Sequence, residues 1–176
     1  MSEIVDQGRL KVRRGGIGRV FPGPAPTADR QSGHDMRMMD ELVSALEPVL
    51  RDLAHSAEFE PEIRDEAWLD QANTASAWLS PGDDTSVGVW IDLDQTPVER
   101  LVAITDQVQD WVVETLPGIG RPSNWPPCPV HPDGHPLQPV ERESRGVWVC
   151  PVVEVEVCEI GSINDDAGAN GPVSGP

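Results

Sequence analysis

Eight prolines fall between residues 117 and 139, and this density is incompatible with a helix or a central strand through the segment. Proline lacks a backbone N–H and its ring clashes with the preceding helical turn, so neither kind of hydrogen-bond ladder accepts it repeatedly. The segment therefore predicts a stiff loop. The loop holds three side chains of metal-binding type, Cys128, His131 and His135, and Cys150 follows shortly after it.

The spacing C-x2-H-x3-H-x14-C is typical of a structural zinc site. Thiolate and imidazole are the ligands that tetrahedral zinc prefers, and four of them close its coordination sphere. A tight turn containing Pro129 presents the first two ligands to one ion, and Asp133-Gly134 allows the chain to reverse toward the third. The competing interpretation is a proline-stiffened loop with two surface histidines and two unrelated cysteines. We predict a zinc site formed by Cys128, His131, His135 and Cys150.

The fourth ligand depends on a β-hairpin. Residues 137–150 predict two short strands about the turn "ESRG", and residues 152–163 predict a further strand. A turn centred between Ser144 and Arg145 pairs Cys150 with a position near Pro139, which returns its thiol toward the loop. Cys158 is the rival to His135, but along one extended strand it would lie about 26 Å from Cys150. Without a chain reversal, Cys158 is expected to be a buried apolar side chain.

The segment before the prolines predicts a helix and a β-hairpin. Apolar residues recur at three- and four-residue steps over residues 35–56, as in an amphipathic helix, and Pro48 is expected to kink or divide that helix. Residues 87–93 alternate with the period of a strand, and residues 74–79, across the turn "SPGDDT", are the expected partner strand.

A second helix has a well-marked beginning. Thr96 is the predicted N-cap, Pro97 suits the first helical position, and Glu99 can complete a capping box with Thr96. An apolar stripe follows, and Pro117 and Gly118 are expected to end the helix.

These elements predict an α+β protein in four segments. A flexible basic arm is expected over residues 1–33 and a helix–hairpin–helix domain over residues 34–117. A proline-rich, zinc-ribbon-like β module is expected over residues 118–161, and a disordered tail over residues 162–176.

The charge is distributed unevenly. The net charge is −17, yet residues 1–30 carry six lysine or arginine residues against three acids. The remaining chain is strongly acidic and repels phosphates, so direct nucleic-acid binding is expected only for the arm, if anywhere. An unidentified protein is the expected partner.

Several classes of protein are disfavoured by what the sequence lacks. No apolar run approaches the roughly 20 residues of a membrane span, and the N-terminus lacks a secretory signal pattern. Three cysteines do not suggest a disulfide framework, so we expect a cytoplasmic protein. The motifs of zinc proteases, deaminases, serine hydrolases and P-loop enzymes are missing, and we expect no enzymatic activity.

The tryptophan, the Cys-Pro-x-His turn, the His-Pro-Leu and the Trp-x-Cys-Pro strand resemble small acidic proteins of high-GC actinobacteria and their phages. The resemblance covers roughly residues 101–161. It implies that the two cysteines and two histidines bind a metal, and it implies no activity.

Three functions are compatible with the sequence. The favoured one is a non-enzymatic, zinc-binding interaction or adaptor protein, in which an exposed Trp125 or Trp148 could anchor a partner. The more common arrangement for Trp148 is packing beneath the hairpin. The alternative is an acidic mimic of nucleic acid that inhibits a basic DNA- or RNA-binding protein. The third is a zinc-dependent hydrolase, which would need an open coordination position.

Overall fold

A computed structural model describes residues 12–13, 28–57, 60–69, 71–82 and 85–163. The protein has two long helices and two small sheets, and its class is α+β, as predicted. Most of the predicted basic arm and the tail from residue 164 onward lie outside the described residues. In chain order the elements are β1 (Val12–Arg13), α1 (Ala28–Ala57), β2 (Glu62–Arg64), β3 (Thr74–Ser80), β4 (Val87–Asp92), α2 (Pro97–Thr115), a 3₁₀ turn (Leu116–Ile119), β5 (Gln138–Arg142), β6 (Arg145–Val149) and β7 (Glu156–Glu159).

The first sheet has the order β1-β2-β3-β4. Strands β2, β3 and β4 are antiparallel, and the two-residue β1 runs parallel to β2 at one edge. Trp68 packs directly on the backbone of β4: a Cβ at Gly88 would lie 2.4 Å from the Trp68 ring. Glycine is therefore required at this position, because any side chain would displace the indole.

The first helix is longer than predicted and is not divided. It begins at Ala28, seven residues before the predicted start, and it contains Pro48. Proline removes one backbone hydrogen bond from a helix interior. Residues on both sides of Pro48, such as Leu46 and Leu53, are fully buried in the same core. That shared burial offsets the local cost and keeps one continuous helix.

The predicted start of α2 is confirmed. The Thr96 side chain accepts a hydrogen bond from the Glu99 N–H, the Glu99 carboxylate accepts one from the Thr96 N–H, and Pro97 follows the cap. Trp111 is buried together with the apolar stripe of this helix.

Helix α2 connects the two sheets. It contacts α1 and β4 on one side and β5 and β6 on the other. The second sheet has the order β5-β6-β7, and all of its pairings are antiparallel. One hydrophobic core contains residues from both segments that the sequence divides into a helical unit and a β module.

Two tryptophans occupy the part of this core nearest the proline-rich loop. Trp125 and Trp148 are both buried, so neither is an exposed anchor for a partner, and Trp148 packs in the core as its more common arrangement predicts. Their ring centroids lie 5.8 Å apart in an edge-to-face arrangement, which suits the positive edge and negative face of aromatic rings.

Candidate metal centre

The proline-rich loop is closed at its neck by backbone contacts. Pro127 and Pro136 form an isolated antiparallel bridge, and the Leu137 N–H donates to the Pro126 carbonyl over 2.8 Å. Residues 128–135 therefore form a loop whose two ends are held side by side at this neck.

Two successive turns within the loop bring its ligand-type side chains together. The His131 N–H donates to the Cys128 carbonyl over 3.1 Å, and the Gly134 N–H donates to the His131 carbonyl over 2.9 Å. We call residues 128–131 the first knuckle. The second turn reverses the chain toward His135, in the region where Asp133-Gly134 predicts a reversal.

The hairpin places Cys150 differently from the sequence-based register. Pro139 pairs with Trp148, so the predicted pairing of Cys150 near Pro139 is wrong by two residues. The turn residues are Glu143 and Ser144, with φ angles of 50° and 61°. Both therefore adopt the left-handed conformation of a two-residue hairpin turn, which usually requires asparagine or glycine and is hard to recognise in this sequence. Because the turn lies one residue earlier than predicted, Cys150 is one step beyond the last pair of β5 and β6, beside the neck of the loop.

The four predicted ligand residues converge. The metal-binding atoms of Cys128, His131, His135 and Cys150 all lie within 4.8 Å of one another. The His131 Nδ1 atom is 3.7 Å from the Cys128 sulfur, 3.5 Å from the Cys150 sulfur and 3.2 Å from the His135 Nε2 atom. The Cys150 sulfur is 3.8 Å from the His135 Nε2 atom. These four residues form a group that could hold a metal ion.

A second contact fixes the orientation of His135. Its Nδ1 atom lies 2.8 Å from the carbonyl oxygen of Pro136. A carbonyl only accepts, so Nδ1 carries the proton and Nε2 presents its lone pair to the cluster. Such a contact to the remote ring nitrogen is the usual way in which a metal-binding histidine is held in one tautomer.

The chain turns sharply after Cys150. The Glu154 N–H donates to the Cys150 carbonyl over 2.8 Å, and the Cys150 N–H donates to the Val155 carbonyl over 3.0 Å. We call residues 150–155 the second knuckle. Burial has the largest single effect and raises the pKa of the Cys150 thiol. Hydrogen bonds to its sulfur from the Val153 and Val152 N–H groups and from the Cys128 thiol outweigh it, and the net pKa lies below the usual value.

Cys158 lies outside the cluster. The chain does reverse after Cys150, which is the condition under which Cys158 could approach the ion. The reversal instead starts β7, where Cys158 pairs with Trp148 and is buried. The single strand predicted over residues 152–163 is correspondingly reduced to Glu156–Glu159.

Three polar side chains that support the loop are missing from the sequence-based prediction. The Nε2 atom of buried Gln109, on α2, donates to the carbonyls of Trp125 and Leu137 over 3.0 and 2.7 Å. On α1, Ser56 accepts from the Trp125 indole over 2.9 Å, and Asp52 accepts from the Trp148 indole over 2.7 Å. These contacts link residues 16 to 96 positions apart in the chain, and no local pattern marks them.

Comparisons with family models, with curated proteins and with solved structures each find no match to this chain. Among the described helices, none is both long and apolar enough to cross a membrane.

Proposed function

We propose that this protein binds one Zn²⁺ ion through Cys128, His131, His135 and Cys150, and that the ion is structural in a non-enzymatic interaction or adaptor protein. The separations of the ligand atoms support the proposal most directly. With bonds of about 2.3 Å to sulfur and about 2.0 Å to nitrogen, a tetrahedral zinc ion separates two nitrogens by about 3.3 Å and a sulfur from a nitrogen by about 3.5 Å. The nitrogens here are 3.2 Å apart, and three of the four sulfur–nitrogen pairs are 3.5, 3.7 and 3.8 Å apart.

The kind of ligand favours zinc over the hard cations. Two sulfurs and two imidazole nitrogens in a tetrahedral arrangement suit zinc, whereas magnesium and calcium prefer oxygen. Zinc binds the thiolate form of cysteine and the neutral form of histidine. The fixed tautomer of His135 supplies this neutral form on the nitrogen side.

Two features support a structural rather than a catalytic ion. Four protein ligands fill a tetrahedral sphere and leave no position for a reacting water, which disfavours the hydrolase alternative. Cys128 and Cys150 are fully buried, so both sulfurs face the protein interior. An ion at this position would join the loop to Cys150 at the end of β6, in addition to the contact between Trp125 and Trp148.

The interaction role is supported by the surface. The chain is strongly acidic, and solvent-exposed Asp106, Asp110 and Glu114 form a solvated acidic face on α2. Such a surface suits recognition of a basic partner more than it suits binding of nucleic acid. The resemblance to small acidic actinobacterial and phage proteins stays a prediction.

Metal analysis of the purified protein tests the zinc site. We expect one equivalent of zinc in the wild type and its loss in Cys128→Ser and His135→Ala. Cys158→Ala is the matched control, because it removes a buried cysteine outside the cluster and should retain the zinc. Wild-type protein purified without zinc, and unable to take it up when zinc is added, would contradict the proposal. Retention in His135→Ala together with loss in Cys158→Ala would transfer the fourth ligand to Cys158.

A further inference from the structure

Exposed valines are concentrated in the two knuckles. Val130 lies in the first knuckle, and Val152, Val153 and Val155 lie in the second. Their exposed fractions are between 47% and 65%. Among the residues that the structure describes, eight large apolar side chains are exposed, and these valines are half of them. Isolated exposed apolar residues need no explanation, but four in two short turns around one cluster do.

The two knuckles flank the same four ligands. The Glu154 N–H donates to the Cys150 carbonyl and the Cys150 N–H donates to the Val155 carbonyl, so Val152 and Val153 lie in a turn closed at the ligand Cys150. Val130 directly precedes the ligand His131. Because the ligand atoms of Cys128 and Cys150 lie within 4.8 Å of each other, the two turns that carry the exposed valines begin side by side.

The surroundings of these valines are acidic. Residues 128–163 contain six Asp or Glu residues and two arginines. Arg145 forms ion pairs with Glu156 and Glu159, and Arg142 donates to the Glu154 carbonyl. Both arginines are thus engaged within the module, whereas the carboxylates of Asp133 and Glu154 sit on exposed residues.

We propose that the valines of the two knuckles are the docking surface for a protein segment that presents apolar side chains flanked by lysine or arginine. The inference rests on the proposed zinc site, because the ion is what holds the knuckles side by side. We call the exposed carboxylates of Asp133 and Glu154 the acidic rim. A second copy of this chain would bring one acidic rim against another, and an anionic lipid surface would be repelled in the same way. A basic, partly apolar protein segment can pack its apolar side chains on the valines and pair its positive charges with the acidic rim.

Selection from a random peptide library displayed on phage, against the zinc-loaded full-length protein, tests the surface. We expect enriched peptides to combine apolar residues with lysine or arginine. The synthesised peptides should bind the triple variant Val130→Ser, Val152→Ser, Val153→Ser at least about tenfold more weakly, as for loss of a central apolar contact. Neutralising the rim with Asp133→Asn and Glu154→Gln should weaken binding about three- to tenfold at low salt and much less at high salt.

A matched control replaces exposed apolar residues outside the knuckles. Met36 and Ile119 are 54% and 52% exposed, so Met36→Ser with Ile119→Ser removes comparable surface and should leave peptide affinity unchanged. Zinc content is measured for every variant. Zinc-loaded protein that enriches no such peptides, or enriches peptides that bind the triple variant as tightly as the wild type, would overturn the docking surface and leave the zinc site standing. Wild type that binds no zinc would overturn the zinc site and this surface with it.

Discussion

The Trp148 indole donates to the buried carboxylate of Asp52, with 2.7 Å between nitrogen and oxygen. The same carboxylate accepts from the N–H groups of Gly161 and Ile163 over 2.7 and 2.9 Å. One side chain on α1 therefore holds both the Trp148 indole, which lies beside the proline-rich loop, and the residues that follow β7. Burial raises the pKa of Asp52, while these three donors act in the opposite direction.

Asp52→Asn should destabilise the protein by about 2–4 kcal/mol, because an amide group facing three N–H donors leaves buried polar groups unsatisfied. Urea unfolding followed by tryptophan fluorescence measures the change. Glu47→Gln is the control on the same helix, since Glu47 makes only an exposed ion pair with Arg51, and it should alter stability by less than about 0.5 kcal/mol. Equal effects of the two substitutions would contradict the role given to Asp52.

Removal of the metal should lower the melting temperature. Zinc that binds only the folded state stabilises it by mass action, and loss of about 3 kcal/mol corresponds to a shift of roughly 10 °C for a chain of this size. Calorimetry with and without a strong chelator measures the shift. Cys128→Ser should melt at the lower temperature whether or not the chelator is present. A chelator effect of the same size in that variant would show that the stabilising metal binds elsewhere.

Gln109→Met should weaken zinc binding about tenfold. Methionine keeps the approximate shape of the side chain but leaves the carbonyls of Trp125 and Leu137 without their donor. The folded conformation of the loop is then destabilised by about 1–3 kcal/mol. Competition with a fluorescent zinc chelator measures the affinity. Gln107→Met, two residues away on the same helix, removes contacts to Trp90 instead. It should leave zinc affinity unchanged even where it lowers stability.

The capping box of α2 should make a pH-dependent contribution to stability. Hydrogen bonds from the Thr96 backbone and side chain hold the pKa of Glu99 below its ordinary value of 4.5. A carboxyl whose pKa is lower in the folded state stabilises that state above its unfolded pKa, and the contribution is lost as pH falls through the folded pKa.

Glu99→Gln keeps an acceptor for the Thr96 N–H but lacks the charge. Its melting temperature should lie below that of the wild type at neutral pH, and the difference should shrink as the pH is lowered from about 5 to about 3. Melting curves across this range test the prediction. A difference that is constant with pH would show that the ionised carboxylate adds nothing to the cap.

Local signals predicted the beginning of α2 and the loop that carries the ligands. Thr96, Pro97 and Glu99 act within one helical turn, and the first three ligand residues are joined by successive tight turns, so neighbouring residues are sufficient to predict both. The group of four ligand residues was also predicted, although the hairpin register was wrong, because a shift of two residues preserves the side of the strand on which Cys150 lies.

Long-range polar contacts could not be predicted. Asp52 lies 96 residues from Trp148, and Gln109 lies 28 residues from Leu137. In the sequence of a helix, a carboxylate or amide that will be buried cannot be distinguished from an exposed one, because its hydrogen-bond partner is distant in the chain. Trp125 and Trp148 are buried together with these partners, which excludes either indole as an exposed anchor.

Gln107 protects one edge of the first sheet against pairing with strands of other protein molecules. Its side-chain amide donates to the Trp90 carbonyl and accepts from the Trp90 N–H over 2.9 and 3.1 Å, at the β4 end of the first sheet. An open strand edge is a template on which foreign strands assemble into aggregates. The amide imitates the missing neighbour at the middle of this edge, so an incoming strand would have to displace α2 before it could extend the sheet.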